Sequence, residues 1–588
     1  MLSIVVSCFV LQALASQVPL HLSPPYNSTS SLDSSDLDFS LWQLDELPPA
    51  NATGHFVFET VNSLLQHWPN TRYPNGHAMV PGVIPKGTLL YHGAFTDEIP
   101  TVRNWVATDP EHSMLFCKGM PDTGCWHLTL ATTRPLKVLY FDGTSAANTR
   151  DGTLETQDIM AWGKLRPDWW WEETERLENL CNWGAPYAVD GYVRMEMDFE
   201  VMLCDFTAGV EVVSFYNLAS LVLPVSTLSF PMPKIPNDFK IRMFEVMHAG
   251  SWHNRYPGDT RINLDLAGMV SLYDTTLAPS LVSLRAGQER SDHRLQGISH
   301  MDIEAVRSSV SRAAEKSQSD SSGVDWKTLF RVIVDRYSDR LDLLDHLLNS
   351  TLEDDALMDQ ARKVHLQLRV MFTPYIFHNI VPPNASFDSA HSWAAPVFKA
   401  CGTAHTSSIA SYMSSLNPSE RLLLQSVQET TREICRITTK MWAAGVLAGL
   451  DPFLPVESAS DASRIARLVD TWRQELSGLM AWLDWSVWVR CRPTCGPEVN
   501  VVTSAAYISS PAVHQEMCYL PSWPLNRPWG RRPPYPPHEE RDESDILDTS
   551  FADRVSFEHD LLMQQVGPDD DRKKPQPKCI RRVEPYGF

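Results

Sequence analysis

No stretch after residue 16 holds 18 apolar residues in a row, so the chain predicts no membrane-spanning helix. Positive charge is scarce too: 50 Lys and Arg face 71 Asp and Glu, a formal net charge of −21. So anionic a chain argues against polyanionic partners, whether nucleic acid or an acidic membrane surface. There is no Gly-X-Ser-X-Gly elbow for a serine hydrolase. Beside Cys491 and Cys495 no second Cys/His pair stands at ligand spacing, so no metal is expected. No internal repeat is visible, and the last residues, with Arg581, Arg582 and Glu584, lack the hydrophobic tail of a lipid-anchor signal.

What is present begins with an uncharged, largely apolar run over residues 2 to 16, with small residues at Ala13 and Ala15. It reads as a signal peptide cleaved after Ala15 or Ser16, because it is too short to span a bilayer. Four Asn-X-Ser/Thr sequons follow, at Asn27, Asn51, Asn349 and Asn384, and in a secretory lumen they would carry N-glycans. Of 11 cysteines, Cys8 leaves with the leader, and the remaining even number suits an oxidising compartment. Cys117 and Cys125 flank a turn-rich segment and form the one pair that spacing suggests; Cys491, Cys495 and Cys518 lie in an irregular stretch where bridges would replace a core. Secretion, N-glycosylation and disulfide bonding are therefore the expectations for location.

A hydrophobic fraction of 43% with 19 Trp means substantial cores, and the length allows two or more domains. The fold class expected is α+β. A flexible, Ser-, Pro- and Asp-rich N-terminus covers residues 17–40, and an α+β putative catalytic domain covers 41–222. Its short β runs are Gly87 to His92, Cys125 to Leu130, Leu136 to Phe141 and Gly191 to Phe206, with a helix-like acidic stretch from Trp169 to Leu180. A Pro-rich linker at 223–240 leads to a mainly helical domain at 241–520, and residues 521–588 form a Pro-rich, charged and disordered tail.

Three helices are marked by their apolar period: Trp326 to Leu348 with Asp325 as cap, a helix opening at Asn417-Pro418, and Ile465 to Leu483. These stripes read as bundle core.

Chemistry concentrates in Arg194-Met-Glu-Met-Asp-Phe-Glu-Val-Met-Leu-Cys-Asp205. Read as one strand, alternation puts Glu196, Asp198 and Glu200 on one face and Met195, Met197, Phe199, Val201 and Leu203 on the other. Such a face is either solvated or supplies a carboxylate that stabilises positive charge developing at an anomeric carbon. Upstream, Leu89-Leu-Tyr-His-Gly93 ends a strand in His-Gly, and Asp109 caps a helix start in Thr108-Asp-Pro-Glu-His-Ser113. His248 and His253, five residues apart, share no helix face and read as core or loop. Trp169-Trp-Trp171 suggests a stacking platform of which at least one ring is core.

The order of these pieces, a strand with His-Gly, a Thr-Asp-Pro helix start, two strands and a late Glu strand, resembles the ADP-ribosyltransferase superfamily core over about residues 85–215. The resemblance implies an ADP-ribosyltransferase-like mixed α/β domain that uses NAD as substrate. It implies His92 and Gly93 for NAD contact, Thr108 and Ser113 for the nicotinamide pocket, and Glu200 for catalysis, with Glu196 and Asp198 as further carboxylates. Within that span there is no Ser-Thr-Ser triplet and no Gln-X-Glu pair, so the acceptor stays open. The whole chain looks like a secreted protein of a fungal type. Three functions are therefore carried forward: an NAD-using transferase or its inactive relic, a secreted glycoside-active enzyme with a carboxylate pair such as Glu196 and Glu200, and a non-catalytic extracellular structural or interaction protein.

Overall fold

The structure, a computed structural model, describes residues 42–49, 51–117, 124–219, 238–315, 321–350, 357–382, 391–454, 462–496, 516–522 and 575–580. The leader, the N-terminus to residue 40, Asn27, Asn384, most of the linker and most of the tail lie outside these residues.

Ten strands form one mixed sheet: β1 Ala78–Ile84, β2 Leu89–Ala94, β3 Asn104–Ala107, β4 Cys125–Thr132, β5 Leu136–Phe141, β6 Gly191–Met195, β7 Phe199–Leu203, β8 Val210–Leu218, β9 Asn263–Leu264 and β10 Val270–Ser271. Their order is β10-β1-β5-β6-β7-β3-β2-β4-β8, with β9 also on β1; only β5–β6 is parallel. The sheet thus takes strands from both sides of the 223–240 segment.

The helices are α1 Gly54–Ser63, α2 His67–Arg72, α3 Pro110–Ser113, α4 Glu155–Trp162, α5 Glu173–Gly184, α6 Asp238–Ala249, α7 Ser280–Arg285, α8 His300–Glu315, α9 Trp326–Asn349, α10 Leu357–Phe372, α11 Ala395–Thr403, α12 Ser407–Ala410, α13 Pro418–Leu447 and α14 Ala462–Leu483. The three long apolar stripes form as their period dictates. In α9 the Asp325 carboxylate accepts from Thr328 N at 3.0 Å and caps the helix. In α13, Asn417 and Glu420 make a reciprocal capping box with Pro418 in the first turn. In α14, Ile465, Val469, Trp472, Leu476, Leu479 and Leu483 are buried.

Two apolar cores sandwich the sheet. One face, with Leu90, Val106, Val193, Val201 and Leu203, packs on α1, α9, α10, α13 and α14. The other, with Leu139, Tyr192 and Met202, packs on α4, α5 and α8 through Ile159, Leu177 and Val306. The chain is therefore α+β, and the first helix belongs to the same core as the late helices.

All ten cysteines after Cys8 are paired: Cys117–Cys125 as the spacing suggested, Cys181–Cys204, Cys401–Cys435, Cys491–Cys518 and Cys495–Cys579. The Trp expectation is corrected. Trp169 and Trp171 are exposed, Trp170 is only half-buried, and all three precede α5 in a turn, where Trp169 takes the Arg166 guanidinium on its face at 3.7 Å.

Candidate functional site

The segment Arg194–Asp205 is not one strand. It is a hairpin: β6 ends at Met195, β7 begins at Phe199, and Glu196 N donates to Asp198 O at 3.1 Å across the turn. Glu196, Asp198 and Glu200 therefore do not share a strand face, and the face is not solvated. Asp198 and Glu200 are buried, and Glu196 is half-buried.

The hairpin puts Arg194 opposite Glu200, and the register continues across the sheet through Ala107 to Tyr91. Paired residues share a face, so Tyr91, Ala107, Glu200 and Arg194 point the same way, and Gly93 with them. His92, one residue on from Tyr91, points to the opposite face. Its Nδ1 lies 2.7 Å from Trp105 O, its ring meets Phe206 edge-on, and burial holds its pKa below the ordinary value. The structure thus joins Gly93 to the Glu200 face and sets the His92 imidazole apart from it.

Gly93 is required for close approach: a Cβ there would stand 2.2 Å from Ser113 O and 2.8 Å from Cys117 Cβ. Ser113 Oγ is 2.8 Å from His127 Nε2, and the His127 ring stacks near Tyr91. Thr108 is buried and its N and Oγ1 both donate to Phe199 O, which ties the middle motif to the Glu200 strand. Asp109 stands at the N-cap of α3, yet it makes no cap bond. Its carboxylate is taken by Arg261 at 3.0 and 2.8 Å.

Glu200 sits in a chain of alternating charge. Its Oε1 accepts from Arg194 Nε at 2.6 Å; Arg194 Nη2 reaches Glu173 Oε2 at 2.6 Å and Nη1 reaches Gln157 Oε1 at 3.2 Å. Glu173 also pairs with Arg176, which bonds Asp158 at 3.3 Å. Burial opposes the charged form of Glu173, but Arg194 and Arg176 more than offset it, and its pKa lies below the ordinary value. Burial raises Asp158 to about 6 despite Arg176. Glu196 is raised well above the ordinary value, by burial first and the charge of Glu200 second.

The sequence alone marks none of Arg194, Glu173, His127 and Arg261 as a site residue. The one signal in the sequence is Arg194 itself, an opposite charge six residues from Glu200, which is what a tight hairpin pairs.

The region that holds this cluster matches a family model described as the YPL277C N-terminal domain, over residues 43–126 and 122–238. Two Saccharomyces cerevisiae proteins are similar over longer stretches. The uncharacterized protein YOR389W is 24% identical over 557 residues, 79% of this chain and 81% of its own length. The uncharacterized protein YPL277C is 26% identical over 420 residues, 55% of this chain and 82% of its own length. No solved structure matches.

Proposed function

We propose that the chain is an NAD-consuming, ADP-ribosyltransferase-like enzyme of the secretory pathway or cell exterior. One observation carries the reading: β3 lies between the His-Gly strand β2 and the late Glu strand β7, so Tyr91, next to His92-Gly93, and Glu200, more than a hundred residues later, stand two strands apart, in register and on one face. In this site Gly93 and Ser113 flank the nicotinamide, Thr108 fixes the middle motif on β7, and Glu200, positioned by Arg194, stabilises the oxocarbenium charge that develops when the ribose–nicotinamide bond breaks. With its imidazole on the other face, His92 contributes through its backbone, and Tyr91 takes the side-chain position. Five disulfides and two exposed sequon residues, Asn51 and Asn349, support the oxidising location.

The test is nicotinamide release from NAD by the purified full chain. Glu200→Gln should lower the rate on the order of 100-fold or more. A melting curve taken beside it separates lost chemistry from lost fold, because the substitution also loosens Arg194. Wild-type protein that neither binds nor cleaves NAD overturns the reading. The raised Glu196 carboxyl next to Glu200 favours one second reading, a glycoside-active enzyme with Glu196 as general acid. Hydrolysis of an aryl glycoside, abolished by Glu196→Gln, is its signature.

A further inference from the structure

At the hairpin end of the sheet, three side chains from three separate places in the sequence converge away from Glu200. Asp198 comes from the β6–β7 turn, Asp109 from the residue before α3, and His253 from the 3-10 turn Gly250–His253 that follows α6. One carboxylate oxygen of each aspartate and one imidazole nitrogen lie within 4.8 Å of one another. Asp198 and His253 are fully buried.

The hydrogen bonding does not account for this packing. His253 Nε2 and Asp198 Oδ1 form an ion pair at 2.7 Å, but Asp198 Oδ2 and His253 Nδ1 have no hydrogen-bond partner among the described protein atoms. His112, in α3 three residues after Asp109, is 0% exposed, an electrostatic neighbour of Asp198, and neither of its ring nitrogens has a partner there. Buried donors and acceptors left in this state cost free energy and call for a ligand.

The charge count points to what that ligand is. Asp109, Asp198 and Asp259 bring three negative charges, and Arg261, which bonds Asp109 and Asp259 together, brings one positive. Against that acidic excess, burial raises the Asp198 pKa, and Asp198, Asp259 and Asp109 raise that of His253 despite its burial, so a cation bound here takes the place of a proton. Each Asp109 oxygen gives one lone pair to Arg261 and keeps another, so the guanidinium orients the carboxylate without using it up.

We propose that Asp109, Asp198 and His253 bind one divalent cation, with Arg261 as the outer group that aims Asp109 and His112 as a buried neighbour of Asp198 beside the three donors. Two carboxylates and an imidazole suit zinc or manganese better than calcium, which takes six to eight oxygens. With Asp198 and His253 fully buried and the donors drawn from three elements, the ion's part is structural. It staples the turn that carries Asp198 to α3 and to the segment after α6. The spacing of His248 and His253 gave no hint of it, because each donor arrives on a different element. The one other grouping of metal-ligand type among the described residues, Cys491, Cys495 and Cys579, is consumed by disulfides. The proposal stands apart from the NAD reading and survives its failure.

The test uses the full-length protein purified without chelator. Metal analysis should find about one zinc or manganese ion per chain. Stripping with a chelator should lower the melting temperature by several degrees, and titration with Zn2+ or Mn2+ should restore it. Cobalt(II) loaded into the stripped protein should show visible absorption that His253→Gln and Asp198→Asn abolish. His112→Ala, beside Asp198 but outside the three donors, should fold and weaken affinity by about 10-fold. If the buried variants do not fold, the wild-type melting shift and cobalt spectrum decide. A stripped wild-type protein whose melting temperature neither Zn2+ nor Mn2+ moves overturns the proposal, as does undiminished binding in a folded Asp198→Asn variant.

Discussion

The helical body and the polar side of the sheet bury their side chains by opposite rules. Around α9, α13 and α14 the buried positions include Phe330, Ile333, Leu344, Val446 and Leu476, apolar groups whose burial needs no particular partner. Across the sheet, Arg194, Glu200 and Arg176 are buried too and Glu173 is largely covered, but each is tolerable only because the next one is present. The first region depends on volume and the second on completeness. A volume can be refilled by another apolar residue, whereas a charge chain with one member missing leaves the others stranded.

The largest expected effect tests completeness. Arg194→Met keeps the length of the side chain but leaves Glu173 and Glu200 buried without their shared guanidinium, and should cost about 4 kcal/mol in urea unfolding at pH 7. A cost under about 1 kcal/mol would erase the contrast, because it would show that water or rearrangement replaces the arginine as easily as a methyl group is replaced in a core. In the helical body, Leu476→Ala should cost about 3 kcal/mol, while the volume-conserving Leu476→Met should cost less than about 1.5. If Leu476→Met proved as harmful as the alanine, the body would depend on exact shape and the two regions would differ less than their chemistry implies.

The same contrast explains what could be read without coordinates. Apolar period and local caps are properties of contiguous residues, so the helix from Trp326, the cap at Asn417 and the stripe from Ile465 to Leu483 were all legible. Cys117–Cys125 was legible because its loop is short. The hairpin at Glu196 to Asp198 was not. Its turn contains no Gly, Pro or Asn, and strict alternation runs straight through it, so period alone extends the strand. That error placed three carboxylates on one face, when one pairs with Arg194, one packs on His253 and one is half-buried in the turn. Glu173 and Arg261 were out of reach for a different reason: they meet Arg194 and Asp109 from distant segments, and no local pattern encodes a partner supplied by the fold.

The smallest effect is the most discriminating, because its sign is opposite to that of the Arg194 change. Glu196 belongs to the polar side of the sheet but is not bonded into the charge chain, and burial together with the charge of Glu200 raises its pKa well above 4.5, with Arg194 opposing. A carboxyl whose folded pKa is raised binds its proton more tightly in the native state than in the unfolded chain. Below pH 4.5 both states hold the proton and nothing is lost. As the pH rises from 4.5 through the folded value, the unfolded state gives up its proton first, and the native state loses stability relative to it. Glu196→Gln removes that titration while keeping size and hydrogen-bonding capacity. The variant should match wild type at pH 4 and become the more stable of the two as the pH rises to 7, by less than about 1 kcal/mol because the side chain is only half-buried and solvent screens it. Denaturation midpoints at pH 4, 5.5 and 7 measure the gap. A variant less stable than wild type at pH 7 would mean that the Glu196 carboxylate is a working member of the charge chain, held by Arg194 more strongly than burial and Glu200 oppose it.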